Sequence, residues 1–200
     1  MRTCKRLLPL LLSLAFVFQG YASDRSAKYE ITPMYSNVGF SIMKFFIKEE
    51  GGFRDYGGEI FYDPDHPERS WVNMTVKAAS IDTRIDNRDK ALRSEDFFDV
   101  DHYPTLSFKS VSVAAKPGDT LDVTGDLTIH GVTKRITLPV HFLGVRKLQG
   151  WGEFAGFDTE FTIDRTAFGV NAARWSGGRL ILSNEVTIHL AIGGTKAGTK

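Results

Sequence analysis

Between Thr120 and His130 the chain alternates almost without a break. Leu121, Val123, Leu127 and Ile129 fall on one side; Asp122, Thr124, Asp126, Thr128 and His130 fall on the other. A side-chain period of two belongs to a β-strand with one buried face, because successive Cβ atoms point to opposite sides of the sheet. The pattern recurs along the chain. Val38, Phe40 and Ile42 share a face, as do Val72, Met74 and Val76, then Ile136, Leu138, Val140 and Phe142. Trp151, Ala155, Phe157, Phe161 and Ile163 follow in register, and Leu180, Leu182, Val186, Ile188 and Leu190 oppose Arg179, Ser183, Glu185, Thr187 and His189. Shorter strands are expected at 28–31 and 59–62. Thr32-Pro33, Gly51-Gly52, Gly57-Gly58, the Asp63–Pro67 run and His130-Gly131 punctuate them as turn or bulge signals. The count is about eight strands, many longer than the usual five or six residues. Long antiparallel strands with one apolar face suit a closed barrel or a two-sheet sandwich. An eight-stranded barrel has room for its own side chains or for one ligand.

The first residues stand apart. Arg2, Lys5 and Arg6 precede an apolar run from Leu7 to Phe18, too short to span a bilayer as a helix, and Gly20-Tyr21-Ala22 offers small residues at −3 and −1 of a cleavage site. Residues 1–22 therefore read as a secretory signal, with cleavage near Ala22-Ser23 and a periplasmic or secreted domain over 23–200. The one cysteine, Cys4, lies inside the signal, so the mature chain has no disulfide, thiol nucleophile or thiolate metal site. Its 22 basic and 24 acidic residues give a net charge of −2, which does not favour nucleic acid.

One stretch breaks the alternation: SIDTRIDNRDKALRSEDFFDVDHYPTLSF, from Ser80 to Phe108. It predicts a short helix over 88–94, capped by Asp86 or Asn87, with Asp89 favouring the first turn and Ala91 and Leu92 facing inward. Phe97-Phe98 returns the chain to the core. The charges at Asp82, Arg84, Asp86, Arg88, Asp89, Arg93, Asp96, Asp99 and Asp101 admit two readings: a site for acid–base chemistry or head-group binding, or capping and ion pairs that fix a loop over a barrel mouth. His66, His102, His130, His141 and His189 show no close metal-motif spacing, although His141 and His189 could meet across strands. There is no G-x-S-x-G elbow.

The same stretch, followed by GDLTIHGVTKRITLPV (125–140), resembles the YceI family of bacterial secreted proteins, and the resemblance runs from Tyr29 to Ile192. It implies an all-β fold: an eight-stranded antiparallel lipocalin-like barrel, with the short helix in an insertion after the fourth or fifth strand. It also implies an apolar tunnel for a polyisoprenoid lipid or isoprenoid quinone. This chain departs from the family at Tyr35, Lys44 and Ala91, where members often carry histidine, so no histidine role carries over.

Read from periodicity alone, the apolar faces pack as a core. The resemblance makes part of them a tunnel wall: Val38, Phe40, Ile42, Phe97, Phe98, Leu106, Phe108, Leu127, Ile129, Leu138, Val140, Phe142, Phe157, Phe161, Phe168, Trp175, Leu182 and Val186. Arg88, Arg93 and Arg165 are the candidate head-group or rim residues. The expected function is that of a non-enzymatic carrier of an isoprenoid lipid, with no cofactor and no metal, as a monomer or homodimer with transient membrane contact. The alternatives are an enzyme acting on a bound lipid or quinone through the 82–101 cluster, and an outer-membrane barrel with its apolar face outward.

Overall fold

The structure, a computed structural model, describes residues 25–171 and 182–198. The expected signal at 1–22 and the positions Trp175, Arg179 and Leu180 lie outside the described residues. The strands are β1 (Ala27–Ile31), β2 (Asn37–Lys44), β3 (Ile47–Phe53), β4 (Tyr56–Tyr62), β5 (Trp71–Lys77), β6 (Ile81–Asp82), β7 (Thr105–Lys116), β8 (Thr120–Ile129), β9 (Val132–Leu148), β10 (Gly152–Asp164) and β11 (Leu182–Lys196). One α-helix, α1 (Asp86–Arg93), lies between β6 and β7.

These strands make eight staves. β2 and β1 pair with successive parts of β11, so they are two halves of one stave. β3 and β4 form the second, pairing with β2 and β1 respectively, and β6 and β5 form the third. β7 to β11 follow as a plain antiparallel meander. Pairing of the first stave with β11 closes the barrel, as the family resemblance implied. Helix α1 therefore follows the third stave. The sequence expectation, after the fourth or fifth strand, places it one or two staves later, because the Thr32-Pro33 break looks like the end of a strand.

The three composite staves are broken at one level, at residues 32–36, 54–55 and 78–80. Backbone groups freed there find partners across the breaks. Arg54 N donates to Ser80 O (3.0 Å) and Lys77 N to Asp55 O (2.8 Å). The Tyr56 hydroxyl donates to Ser36 O (2.6 Å). The Ser36 hydroxyl donates to Gly193 O (3.2 Å) and accepts from Gly193 N (3.1 Å). A wall left with unpaired polar groups would be costly; these contacts keep it continuous. The glycine pairs 51–52 and 57–58, read as turn signals, sit within β3 and β4, and the break falls between them.

On β8 the alternation is realised fully: Leu121, Val123, Gly125, Leu127 and Ile129 are buried and the residues between them half-buried. Trp151 does not join the inward row of β10. It belongs to the turn that precedes Gly152 and is exposed.

Gly58 holds φ at +149°, a region L-residues avoid, and a Cβ there would run into the carbonyl oxygen of Asn73. Gly58→Ala is expected to destabilise the barrel by about 2–4 kcal/mol. Urea denaturation should show a lower midpoint at an unchanged slope.

Candidate functional site

The inward faces of the staves leave space between them. Two apolar chambers lie end to end within the barrel, one of about 170 Å³ and one of about 450 Å³ beneath α1. Phe40, Phe53, Leu106, Ile129 and Ile188 line both and form the waist between them. The Phe40 and Phe53 rings stand 6.1 Å apart there, and Phe53 meets Phe98 edge-on at 5.9 Å. Rings of this size cannot fold away to fill the gap.

Sixteen of the eighteen expected lining residues face this space. Ile42, Phe97, Phe98, Phe168, Leu182 and Val186 line the larger chamber. Val38, Phe108, Leu127, Leu138, Val140, Phe157 and Phe161 line the smaller. Phe40, Leu106 and Ile129 line both. Phe142 lines neither: its ring packs 4.5 Å from Tyr62 and 5.4 Å from Phe157, helping to fill the end of the barrel away from α1. Trp175 lies outside the described residues. Sequence reasoning passed over Ile60, Tyr62, Met74, Val76, Val113 and Val123, which also line the smaller chamber. Their signal was the same alternation that selected the others.

Polar residues gather at the mouth of the larger chamber, where Lys44, Glu49, Glu50, Thr83, Asn87, Arg88 and Arg165 complete the lining. Thr83 is the hub. The buried Asp89 carboxylate accepts from Thr83 N (2.8 Å) and from the Thr83 hydroxyl. Arg88 donates Nε to Thr83 Oγ1 (2.8 Å) and Nη2 to Thr83 O (2.9 Å), and its Nη1 pairs with Glu49 on β3. This arrangement corrects the expected cap. Ile85 holds the N-cap position without a side-chain bond, α1 spans 86–93 in place of 88–94, and Asp89 turns back from the helix to grip the chain before it.

Arg93 is also corrected. It does not reach the chamber, because its guanidinium donates to Ala79 O (2.7 Å) and Ile81 O (2.6 Å) and straps α1 to the third stave. Asp82 accepts from Arg84 N and from Arg54 Nε, each at 2.7 Å. These bonds, the backbone one first, hold its carboxyl below the ordinary value. Asp82, Arg88, Asp89 and Arg93 thus bond the loop and the strands beside it, the arrangement the second of the two readings describes.

Arg165 is a different case. Its side chain is 6% exposed and donates to Val170 O (2.5 Å), Ser183 O (3.0 Å) and Asn184 Oδ1 (3.4 Å). Burial pulls its pKa down, only partly offset by the nearby Asp164. His141 bonds Thr120 (3.0 Å), whereas His189 lies between Glu160 (2.8 Å) and Ser41 (3.3 Å), so the two do not pair with each other. Among the described residues no three His, Cys, Asp or Glu side chains gather as a metal site.

A closed up-and-down barrel around an apolar hollow, with a polar-rimmed mouth under a helix, defines a lipocalin-like protein. The YceI-like domain matches residues 29–193, and the chain belongs to that family. It is 39% identical over 135 residues to a UPF0312 protein of Pseudomonas putida, covering 68% of this chain and 67% of the relative. The crystal structure of Burkholderia cenocepacia BcnA superposes with a TM-score of 0.75 at 26% identity, covering 82% of this chain and 99% of that one. A Saccharophagus degradans protein described as a polyisoprenoid binding domain implicated in plant cell wall breakdown shares the fold. Its TM-score is 0.64 at 17% identity, with 84% and 98% of the chains covered.

Asp89→Ala would strand the buried Thr83 N–H. Stability is expected to fall by about 1–3 kcal/mol, and amide exchange should rise first at residues 83–93. Unchanged protection there would show that Asp89 does not hold the loop.

Proposed function

We propose that this protein is an export-compartment carrier that holds one elongated isoprenoid lipid or isoprenoid quinone in the joined chambers. The observation that carries the reading is the hollow itself: two adjoining chambers, lined almost wholly by apolar side chains, that share a wall at Phe40, Phe53, Leu106, Ile129 and Ile188. Protein interiors are normally packed to crystal density, so an unfilled apolar space this long is matched to something that fills it. The larger chamber alone lies within the usual range for small-molecule sites. Each CH₂ buried contributes about 0.8 kcal/mol, so a prenyl chain can be held without any charged contact. Kinship with the polyisoprenoid-binding Saccharophagus domain supports the ligand class, and the N-terminal segment supports periplasmic delivery.

In this reading Arg88 and Arg165 meet the head group at the mouth and the phenylalanines line the tail. The enzymatic alternative is weaker, because the Asp89 carboxylate is engaged in holding the loop. Native mass spectrometry of protein exported by a lipid-rich host is expected to show one prenyl adduct per chain. Leu106→Trp, which fills the waist, should shift that adduct to shorter chains or remove it, while the far-ultraviolet spectrum stays unchanged. A clean apoprotein from the parent chain would end the proposal.

A further inference from the structure

The tip of the hairpin joining β2 to β3, residues 45–47, belongs to neither the core nor the chamber linings. Its turn is two residues long, Phe45-Phe46, with Lys44 paired to Ile47. Such turns require positive φ at one or both central positions and are filled by Asn-Gly, Asp-Gly or a leading glycine. The other two-residue turn, His130-Gly131 between β8 and β9, carries glycine at its second position (φ 73°), and the three-residue turns 117–119 and 149–151 carry Gly118 (76°) and Gly150 (80°). Here neither turn residue is glycine, and the leading one, Phe45, holds φ 54°, a strained choice for a bulky residue. The side chains gain nothing in the fold: Phe45 is 65% exposed, Phe46 96% and Ile47 66%. A local rule broken with no compensation in packing marks function more often than folding.

The tip also has a particular place. β3 pairs with β6 only at Gly52 and Phe53, so its first five residues extend past that partner, a ribbon of about 16 Å. Lys44, Glu49 and Glu50 of this ribbon line the larger chamber, as does Ile85, itself 51% exposed. The exposed apolar tip therefore stands at the mouth through which a ligand would pass.

We propose that Phe45-Phe46-Ile47 is a bilayer anchor. It inserts at the boundary of head groups and acyl chains and seats the mouth of the larger chamber on the membrane, so that an apolar ligand moves between bilayer and barrel without crossing water. A narrow convex tip needs no shaped partner, which suits a fluid lipid surface better than a protein groove. The charges of the ribbon are largely matched: Lys48 lies 3.8 Å from Glu50, and Glu49 pairs with Arg88. Docking then rests on apolar burial and does not require anionic lipid, unlike basic amphipathic anchors.

This inference extends the carrier reading and is tested apart from it. The exported chain is floated with phosphatidylcholine vesicles, with and without phosphatidylglycerol, beside the double variant Phe45→Gly, Phe46→Ser. Vesicle binding should fall about tenfold or more in the variant and depend little on phosphatidylglycerol or salt. Phe45→Gly alone should raise the thermal midpoint by relieving the turn while it weakens binding, a pairing of signs that a structural role does not give. Equal vesicle binding by parent and double variant overturns the anchor. So does binding that needs phosphatidylglycerol, or a dimer in sedimentation velocity that the double variant abolishes. A fluorescent prenyl probe separates the two readings. The double variant should take it up equally at equilibrium but acquire it from vesicles more slowly; a parent chain that docks yet takes up no probe removes the carrier reading and leaves the anchor.

Discussion

A barrel can stay hollow only if its wall has no open edge, and here that condition rests on β11. It ladders with β10 along nearly its whole length and, on its other side, with β2 and then β1. The break between β1 and β2 would leave a gap in that second ladder. Ser36 fills it by bonding both backbone groups of Gly193, and Tyr56 holds Ser36 in turn. Closure by main-chain hydrogen bonds has an energetic consequence. Most single-core folds hold their layers together by filling the space between them, so an empty interior forfeits dispersion contacts on every lining residue. A closed ladder satisfies its backbone without help from the centre, which frees the inward faces to surround a space.

The mouth is built on a second economy of partners. Thr83 is bonded by Asp89 through its amide and hydroxyl and by Arg88 through its hydroxyl and carbonyl, and Arg88 then reaches Glu49 on the ribbon of β3. One residue thus joins the end of the third stave, α1 and the β2–β3 hairpin. Such a connected network fixes the loop far better than isolated surface pairs would. Phe97 and Phe98, directed inward by backbone bonds to Ser94 and Leu92, then roof the larger chamber.

The alternation of Leu121, Val123, Leu127 and Ile129 was enough to place those side chains inside, because a strand offers only two faces. It was not enough to tell a packed core from a hollow one. Period two reports which face turns inward and says nothing of the distance across the barrel. The insertion was legible as a lid but not in its bonds. Asp89 reads as a helix-start charge, and only the fold shows that Thr83 lies within its reach. Arg93 failed as a rim residue for a related reason: an exposed-looking cation on a helix had two orphan carbonyls, of Ala79 and Ile81, beside it. Phe142 obeys the alternation and does turn inward, yet Tyr62 and Phe157 surround it at the end of the barrel. Residues 32–36 read as a strand end because Pro33 ends a ladder locally, and continuity of the stave is visible only from its shared partner.

The two ends of the interior differ in a way that orients any amphipathic occupant. Among the described residues, the arginine and lysine side chains that line the chambers, Lys44, Arg88 and Arg165, all belong to the larger one. Arg165 is the telling one. A guanidinium so deeply buried costs desolvation, and among the described residues its bonds run to the carbonyls of Val170 and Ser183 and the amide of Asn184. It lines the larger chamber. Under the carrier reading, an electron-rich oxygen on the ligand, carbonyl or phosphate, belongs near it, and the tail runs through the waist toward Phe157 and Leu138. That orientation leaves the head at the same end as the Phe45-Phe46 tip. A lipid drawn from a bilayer would then enter tail first while its polar end stayed close to the interface, so the head group never has to cross the apolar waist.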